Sequence, residues 1–190
     1  MAGHTSQLLI SNNTVEKKIH QKESEIAVSE LGYIIQASGD KKQLLNKYYV
    51  GDVIKYSNDF IPDSWKQYKI LSALEAGPRL LENGEIYITA EQGEFQNDIV
   101  KGRAPRSAVG KTADRHLLFV TVDGRQPQLS IGMTLSELAN FMKNHGIKEA
   151  MNLDGGSSAR MVVRGYTMNN PGQKRKIASE IIIKIKENQY

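Results

Sequence analysis

The chain has 190 residues, which at about 150 residues per domain is one domain, or one and a small fragment. Apolar residues make up 39% and charged residues 24% of it, an ordinary globular balance, and no apolar run approaches the ~20 residues of a membrane span. Cysteine is absent, which excludes disulfides, thiolate zinc sites, iron–sulfur clusters and a cysteine nucleophile without fixing the compartment.

The net charge of +4 is unevenly spread. Residues 1–95 carry 10 Lys/Arg against 13 Asp/Glu, and residues 96–190 carry 15 against 8, a balance of +7. A basic half attracts an anionic ligand such as phosphate, a phosphodiester polymer or nucleic acid; the plainer reading is a solvated basic surface. Neither a basic helix nor an array of stacking aromatics is present, so nucleic acid is not an expected partner.

In chain order, residues 1–25 read as a polar N-terminal segment. Met1–Ile10 has neither the basic start nor the apolar centre of a signal peptide, and MAGHTSQ suits a cloning scar or the edge of a fragment. Ser11–Glu25 is charged with weak periodicity. Residues 26–190 read as a single α+β domain with a mixed sheet. GYIIQA (32–37) predicts a strand, Ser38-Gly39-Asp40 a turn, Lys41–Tyr49 a short helix and VGDVIKY (50–56) a second strand. Asp59–Gln67, with Pro62 and Trp65, predicts a loop; Tyr68–Glu75 is an apolar run broken by Ala76-Gly77-Pro78. Leu80–Leu81 and Ile86–Thr89 flank Asn83-Gly84, the signature of a hairpin.

The second half is more sharply marked. HLLFVTV (116–122) predicts a strand closed by Asp123-Gly124. Thr134-x-x-Glu137 is a capping box, followed by Leu135, Leu138, Phe141 and Met142 on one face and stopped by Gly146, which predicts a helix over about 134–145. Residues 148–153 predict the next strand, so 116–153 reads as a strand–helix–strand crossover with two parallel strands. RMVVR (160–164) and EIIIKIK (180–186) predict two more strands, and Asn169-Asn170-Pro171-Gly172 a turn.

Both crossover strands end in an acid followed by glycine, Asp123-Gly124 and Asp154-Gly155. Ligands of sheets with parallel strands gather at the carboxyl ends of those strands. If the two strands are neighbours, Asp123 and Asp154 share one rim, where paired carboxylates suit general acid/base work or a hard cation. The alternative is that both simply cap turns. A divalent cation at this Asp rim is the one cofactor the residues leave open; His4, His20, His116 and His145 have no metal spacing. In Asn152-Leu153-Asp154-Gly155-Gly156-Ser157-Ser158, Asn152 and Asp154 project to one strand face. The glycine N–H groups and two hydroxyls suit a concave anion site, or else form only a tight turn. Arg106, in a stiff Pro-Arg-Ser segment, has the group that binds phosphate bidentately, or is an ordinary surface arginine.

Taken together, PRSAVG (105–110), VDGR (122–125), TLSELANFMKNHGIKEAMNLDGGSS (134–158) and LEAGPRLLENGEI (74–86) resemble the phosphodiester glycosidase family, the group that holds the lysosomal uncovering enzyme and many bacterial exported proteins. The resemblance spans about residues 30–186, and Asn-Leu-Asp-Gly-Gly is its specific block. It implies hydrolysis of a sugar-1-phosphodiester, of N-acetylhexosamine type, at the sugar–oxygen bond, releasing sugar and a phosphomonoester. It implies Asp154, with Asp123 second and Asn152 beside them, as the catalytic group. Arg106, Arg125, Gly155, Gly156, Ser157 and Ser158 would bind substrate, a phosphorylated glycan or sugar-1-phosphodiester, in an extracytoplasmic location. Two departures stand out. The family's N-terminal pocket segment has no counterpart here, which leaves three expectations: a C-terminal fragment, a missing N-terminal chain or domain as partner, or a reduced member of the family. Arg160 occupies a position where a small residue or Thr is common. A non-catalytic glycan- or polyanion-binding module of the same fold is the competing expectation.

Overall fold

The computed structural model describes residues 5–19, 26–57, 63–70, 73–93, 95, 97–173, 175–177 and 179–184. The chain forms two compact units, residues 1–70 and 71–190. Its architecture is α+β, as the sequence predicts.

In the first unit, β1 (Ser6–Ser11) and β2 (Thr14–Ile19) make an antiparallel hairpin. Asn12 and Asn13 turn it with φ of 50° and 62°. Two consecutive left-handed residues match the twist of the flanking strands, and asparagine tolerates that conformation better than most residues. β3 (Gly32–Ala37) pairs antiparallel with the other edge of β1, giving the order β2-β1-β3. The central strand is the most buried. Leu8 and Ile10 join Val15, Leu45 and Ile54 in a core flanked by Tyr33, Ile35 and Tyr48. The expected short helix is present as a 3-10 turn at Gly39–Lys42 leading into α1 (Gln43–Asn46).

Two expectations in this unit change. Residues 1–25, read as a polar N-terminal segment, contain β1 and β2, because a two-asparagine turn divides an apolar strand from a charged one. VGDVIKY is not a strand; an isolated bridge pairs Val53 with Thr14, and Gly51 N–H donates to the Val15 carbonyl at 2.8 Å, Val15 N–H to the Asp52 carbonyl at 2.9 Å and Ile54 N–H to the Asn13 carbonyl at 2.7 Å. Turn chemistry prevails over its alternation: Tyr49 N–H donates to the Asp52 carboxylate at 2.8 Å, Asp52 N–H to the Tyr49 carbonyl at 3.1 Å, and Gly51 takes φ 95°. Within the predicted loop, Asp63–Gln67 is a 3-10 turn, and 58–62 lie outside the described residues, as do 71 and 72 of the apolar run 68–75.

The second unit is built on a five-stranded sheet. β4 (Arg79–Glu82) and β5 (Glu85–Ile86) form the predicted hairpin, with Asn83 and Gly84 at φ 52° and 84°. A short α2 (Asn97–Lys101) precedes β6 (Arg106–Thr112), which turns back into β7 (Leu117–Val122). Then come α3 (Leu135–Asn144) and β8 (Ile147–Asn152). A small hairpin of β9 (Val162–Val163) and β10 (Tyr166–Thr167) follows. The order is β5-β4-β8-β6-β7, and every neighbouring pair is antiparallel. β7 and β8 therefore run in the same direction, but with β6 between them rather than as neighbours.

The capping box of α3 is complete. Glu137 N–H donates to the Thr134 hydroxyl at 3.2 Å, and the Glu137 carboxylate accepts from Thr134 N–H at 2.9 Å. The helix lies against β8, β4 and β5. Leu135, Leu138, Ala139 and Met142 enter a core with Leu80, Leu81, Ala108, Ile147 and Ala150. Leu118, Val120 and Val122 of β7 pack at its margin. The expected strand 160–164 is reduced to β9. Residues 180–184 form no strand, because nothing among the described residues pairs with them; 185 and 186 lie outside the described residues.

Candidate active site

β6 runs against both of its neighbours, so its beginning lies beside the ends of β7 and β8. Arg106 pairs with Val122 on one side and Ala108 with Asn152 on the other. The ladder continues past β8: Leu153 N–H donates to the Ser107 carbonyl at 2.8 Å and Gly156 N–H to the Pro105 carbonyl at 2.9 Å. Pro105-Arg106, Asp123-Gly124-Arg125 and Leu153–Ser157 are thereby drawn to one end of the sheet. The glycine at 155 has a direct reason. A β-carbon there would lie 2.7 Å from the Pro105 carbonyl oxygen, which is backbone and cannot move aside.

Within this rim the candidate residues have different partners. Asp123 is occupied. Its carboxylate accepts from Asn169 Nδ2 at 3.0 Å and from Asn170 N–H at 2.9 and 3.0 Å, while its carbonyl accepts from the Ser130 hydroxyl at 2.6 Å. It fastens the 169–172 turn over the end of β7. Arg106 is 3% exposed. Its Nε donates to the Met133 carbonyl at 3.0 Å, and one terminal nitrogen donates to the Ile99 and Gly102 carbonyls at 3.0 and 2.7 Å. Those carbonyls belong to the segments around β6, which Arg106 ties together.

Asn152 is buried, and its Nδ2 donates to the Gly77 and Leu153 carbonyls, each at 2.9 Å. Its Oδ1 is sealed from solvent without a hydrogen-bond partner. The backbone around it is doubly fixed: Gly77 N–H donates to the Asn152 carbonyl at 2.8 Å and Asn152 N–H to the Pro78 carbonyl at 2.9 Å. Asp154 contrasts with all of these. It is exposed, and no described residue hydrogen-bonds or ion-pairs with its carboxylate. Its neighbour Gly155 lies against the Arg106 backbone, so Asp154 stands where the three segments meet.

At the same end of the sheet is a cavity of about 150 Å³ lined by Pro105, Gly124, Arg125, Gln126, Ser157 and the 171–173 segment. Arg125 and Ser157 of the predicted set meet here, and the Arg125 guanidinium reaches toward Gly156. Arg125 itself sits at φ 56°, which turns the chain sharply after Gly124. Of the backbone donors expected to cradle an anion, Gly156 N–H is committed to Pro105 and Ser158 N–H to the Gly155 carbonyl at 3.1 Å. Among the described residues no group of three His, Asp or Glu side chains converges as a metal site.

The sequence reading missed Gln126 and the far wall. Gln126 Nε2 donates to the Asn170 carbonyl at 2.8 Å, so the Asn-Asn-Pro-Gly turn is held at both ends of the Asp123–Gln126 segment. That turn was legible as a turn; nothing in its composition says that it closes over Asp123. Arg160, one departure from the family pattern, is half-buried, and its Nε has no hydrogen-bond partner.

The chain is 34% identical over 102 residues to mouse N-acetylglucosamine-1-phosphodiester alpha-N-acetylglucosaminidase, an alignment of 48% of this chain and 19% of that enzyme. It thus spans under a fifth of that curated relative. A crystal structure of a hypothetical protein from Synechocystis matches 88% of this chain and 31% of its own length, with a TM-score of 0.64 and 22% identity. That match is evidence of the fold alone. A Burkholderia pseudomallei protein assigned as exported matches 90% of this chain and 36% of its own, with a TM-score of 0.59 and 26% identity. The family model for phosphodiester glycosidases matches residues 5–184, and the chain belongs to that family.

Proposed function

We propose that this chain carries the hydrolytic rim of a phosphodiester glycosidase, cleaving a sugar-1-phosphodiester of N-acetylhexosamine type into free sugar and a phosphomonoester. The observation that carries the reading is an unengaged, exposed carboxylate, Asp154, at the end of the sheet where Arg125 and Ser157 line a small cavity. The phosphodiester is an anion; the guanidinium and hydroxyl suit its oxygens. Phosphate is a good leaving group, so the demanding part of the reaction is charge developing on the sugar ring. Asp154 stabilises that charge or activates water. Asn152 holds Gly77 and the end of β8 in place, and Asp123 holds the pocket wall, so both act by positioning. Family membership supports the same reading, as does the assignment of the Burkholderia relative for an extracytoplasmic location; no helix among the described residues is long and apolar enough to cross a membrane.

The test is release of sugar from an N-acetylglucosamine-1-phosphodiester by the chain and by Asp154→Asn. The substitution removes a charge with little change of shape, so the melting temperature stays and turnover falls about 10²–10⁴-fold. Unchanged turnover removes Asp154 from the chemistry. One observation favours a second reading, a module that binds without cleaving. A cavity of about 150 Å³ is smaller than the about 300–1,000 Å³ of usual ligand sites and has room for a phosphoryl group but not a whole substrate. Saturable binding of the phosphodiester with no sugar released by the unsubstituted chain would establish that reading instead.

A further inference from the structure

β7 is the outer strand of the five-stranded sheet and among the described residues pairs only with β6, so half of its backbone donors and acceptors face outward with no described partner. An edge of this kind is a template for another strand. Along it runs an open groove of about 300 Å³, lined by Leu118, Phe119, Val120, Phe141, His145 and Met161. Consecutive residues of β7 point to opposite faces of the sheet, so a groove touching all of them follows the strand edge rather than one face. Phe141 and His145 wall it from α3, and Met161 closes the other side. The slot has the form of a place for one more strand.

The same chain displays a segment of strand composition that forms no strand. Glu180-Ile181-Ile182-Ile183-Lys184 is rich in β-branched residues, which favour strands. Yet its isoleucines are 47%, 65% and 69% exposed, and no described residue hydrogen-bonds with its backbone. Its root is fixed, because Asp123 and Gln126 grip Asn170 just beyond the end of β7. Ten residues separate Asn170 from Glu180, a reach of at most about 35 Å. An open edge and an apolar segment of strand composition, unjoined among the described residues, satisfy each other when two copies meet.

We propose that residues 180–184 of a second copy add to the β7 edge as a sixth strand, and that the exchange is reciprocal. Reciprocity uses the same two surfaces twice and closes the assembly as a dimer with two-fold symmetry. Each copy then covers the other's edge and buries the other's isoleucines. The rim around Asp154 takes no part in this exchange.

Sedimentation equilibrium of the full chain, with hydrogen exchange read over β7, tests it. The expected result is a particle of twice the 21.2 kDa chain mass, with the outward β7 amides protected. Ile182→Asp changes an exposed side chain and leaves the folded monomer intact, but weakens the dimer at least about tenfold, as for a charge placed against apolar groups. Phe141→Lys in the groove acts in the same direction. A monomer with unprotected β7 amides overturns the proposal. So does a monomer with protected amides, which means that the chain's own tail docks. An open series of assemblies larger than a dimer, or a dimer indifferent to Ile182→Asp, overturns it as well.

Discussion

Asp123 and Asp154 are the same side chain before the same residue, each at the end of a strand, and their surroundings differ. Asp123 receives three N–H contacts from Asn169 and Asn170 and holds a loop; Asp154 receives none from any described residue. Asp123→Ala removes the acceptor for two neighbouring donors and releases the 169–172 wall. Hydrogen bonds to a charged acceptor contribute about 1.5–3 kcal/mol, so thermal or urea unfolding registers a loss of that order. Sugar release falls with it, through a raised KM, because the pocket wall has moved while Asp154 has not. A normal melting temperature with abolished kcat would assign Asp123 to the chemistry and reverse the two roles. The sequence shows why these residues are near one another, since acid–glycine strand ends in one topology share a rim. It does not show which acid is engaged, because the partners of Asp123 lie 46 and 47 positions away in a turn with no distinguishing composition. Arg106 illustrates the same limit. Its charge suits phosphate, and only the fold reveals that the Met133, Ile99 and Gly102 carbonyls surround it.

Among the elements, α3 is the best specified by local chemistry. Its cap, apolar face and glycine stop all agree, and the observed helix begins and ends within a residue of the expected span. Thr134→Ala removes the hydroxyl that accepts the Glu137 N–H and is expected to destabilise the chain by about 1 kcal/mol, a lowering of a few degrees in Tm by calorimetry. Glu137 adds a pH dependence. Its carboxyl is held below the ordinary glutamate value, first by the hydrogen bond from Thr134 N–H and further by the Thr134 hydroxyl and the Arg103 guanidinium. A lowered folded-state value means that stabilisation is complete above the unfolded value and lost as pH falls through the folded one. Glu137→Gln lacks this linkage, so between about pH 6 and about pH 3 its Tm should decline less than that of the unsubstituted chain. Parallel declines would show that the capping carboxylate does not titrate with folding. Elements with self-contained signals were legible in this way, including the Asn83-Gly84 hairpin. VGDVIKY and EIIIKIK carry strand composition, but a strand exists only where a partner edge is available. For the first, Asp52 offered the backbone a turn instead.

For the whole molecule, charge and site lie in the same stretch of chain. Residues 96–190, which include the entire Asp154 rim, carry the +7 balance, and the acidic excess belongs to residues 1–95. Arg125 is the guanidinium that opens onto the cavity, while Arg106 faces carbonyls. An anionic substrate should therefore gain from two effects that salt separates: a broad attraction by the basic stretch and a short-range contact with Arg125. Exposed charges more than a Debye length apart, about 10 Å at 0.1 M ionic strength, are largely screened, whereas contact inside a cavity is screened less. Raising salt from about 0.05 M to about 0.5 M should thus lower kcat/KM for a sugar-1-phosphodiester chiefly through KM, as association slows, with kcat little changed. A neutral aryl glycoside of the same sugar lacks the attraction and should show a flat profile. Arg125→Gln should weaken phosphodiester binding at every salt concentration while leaving the slope nearly intact, because it removes the contact and only one of many basic charges. If Arg125→Gln instead flattens the slope, the attraction comes from that single guanidinium, and the remaining basic charge of residues 96–190 is solvated surface with no part in capturing substrate.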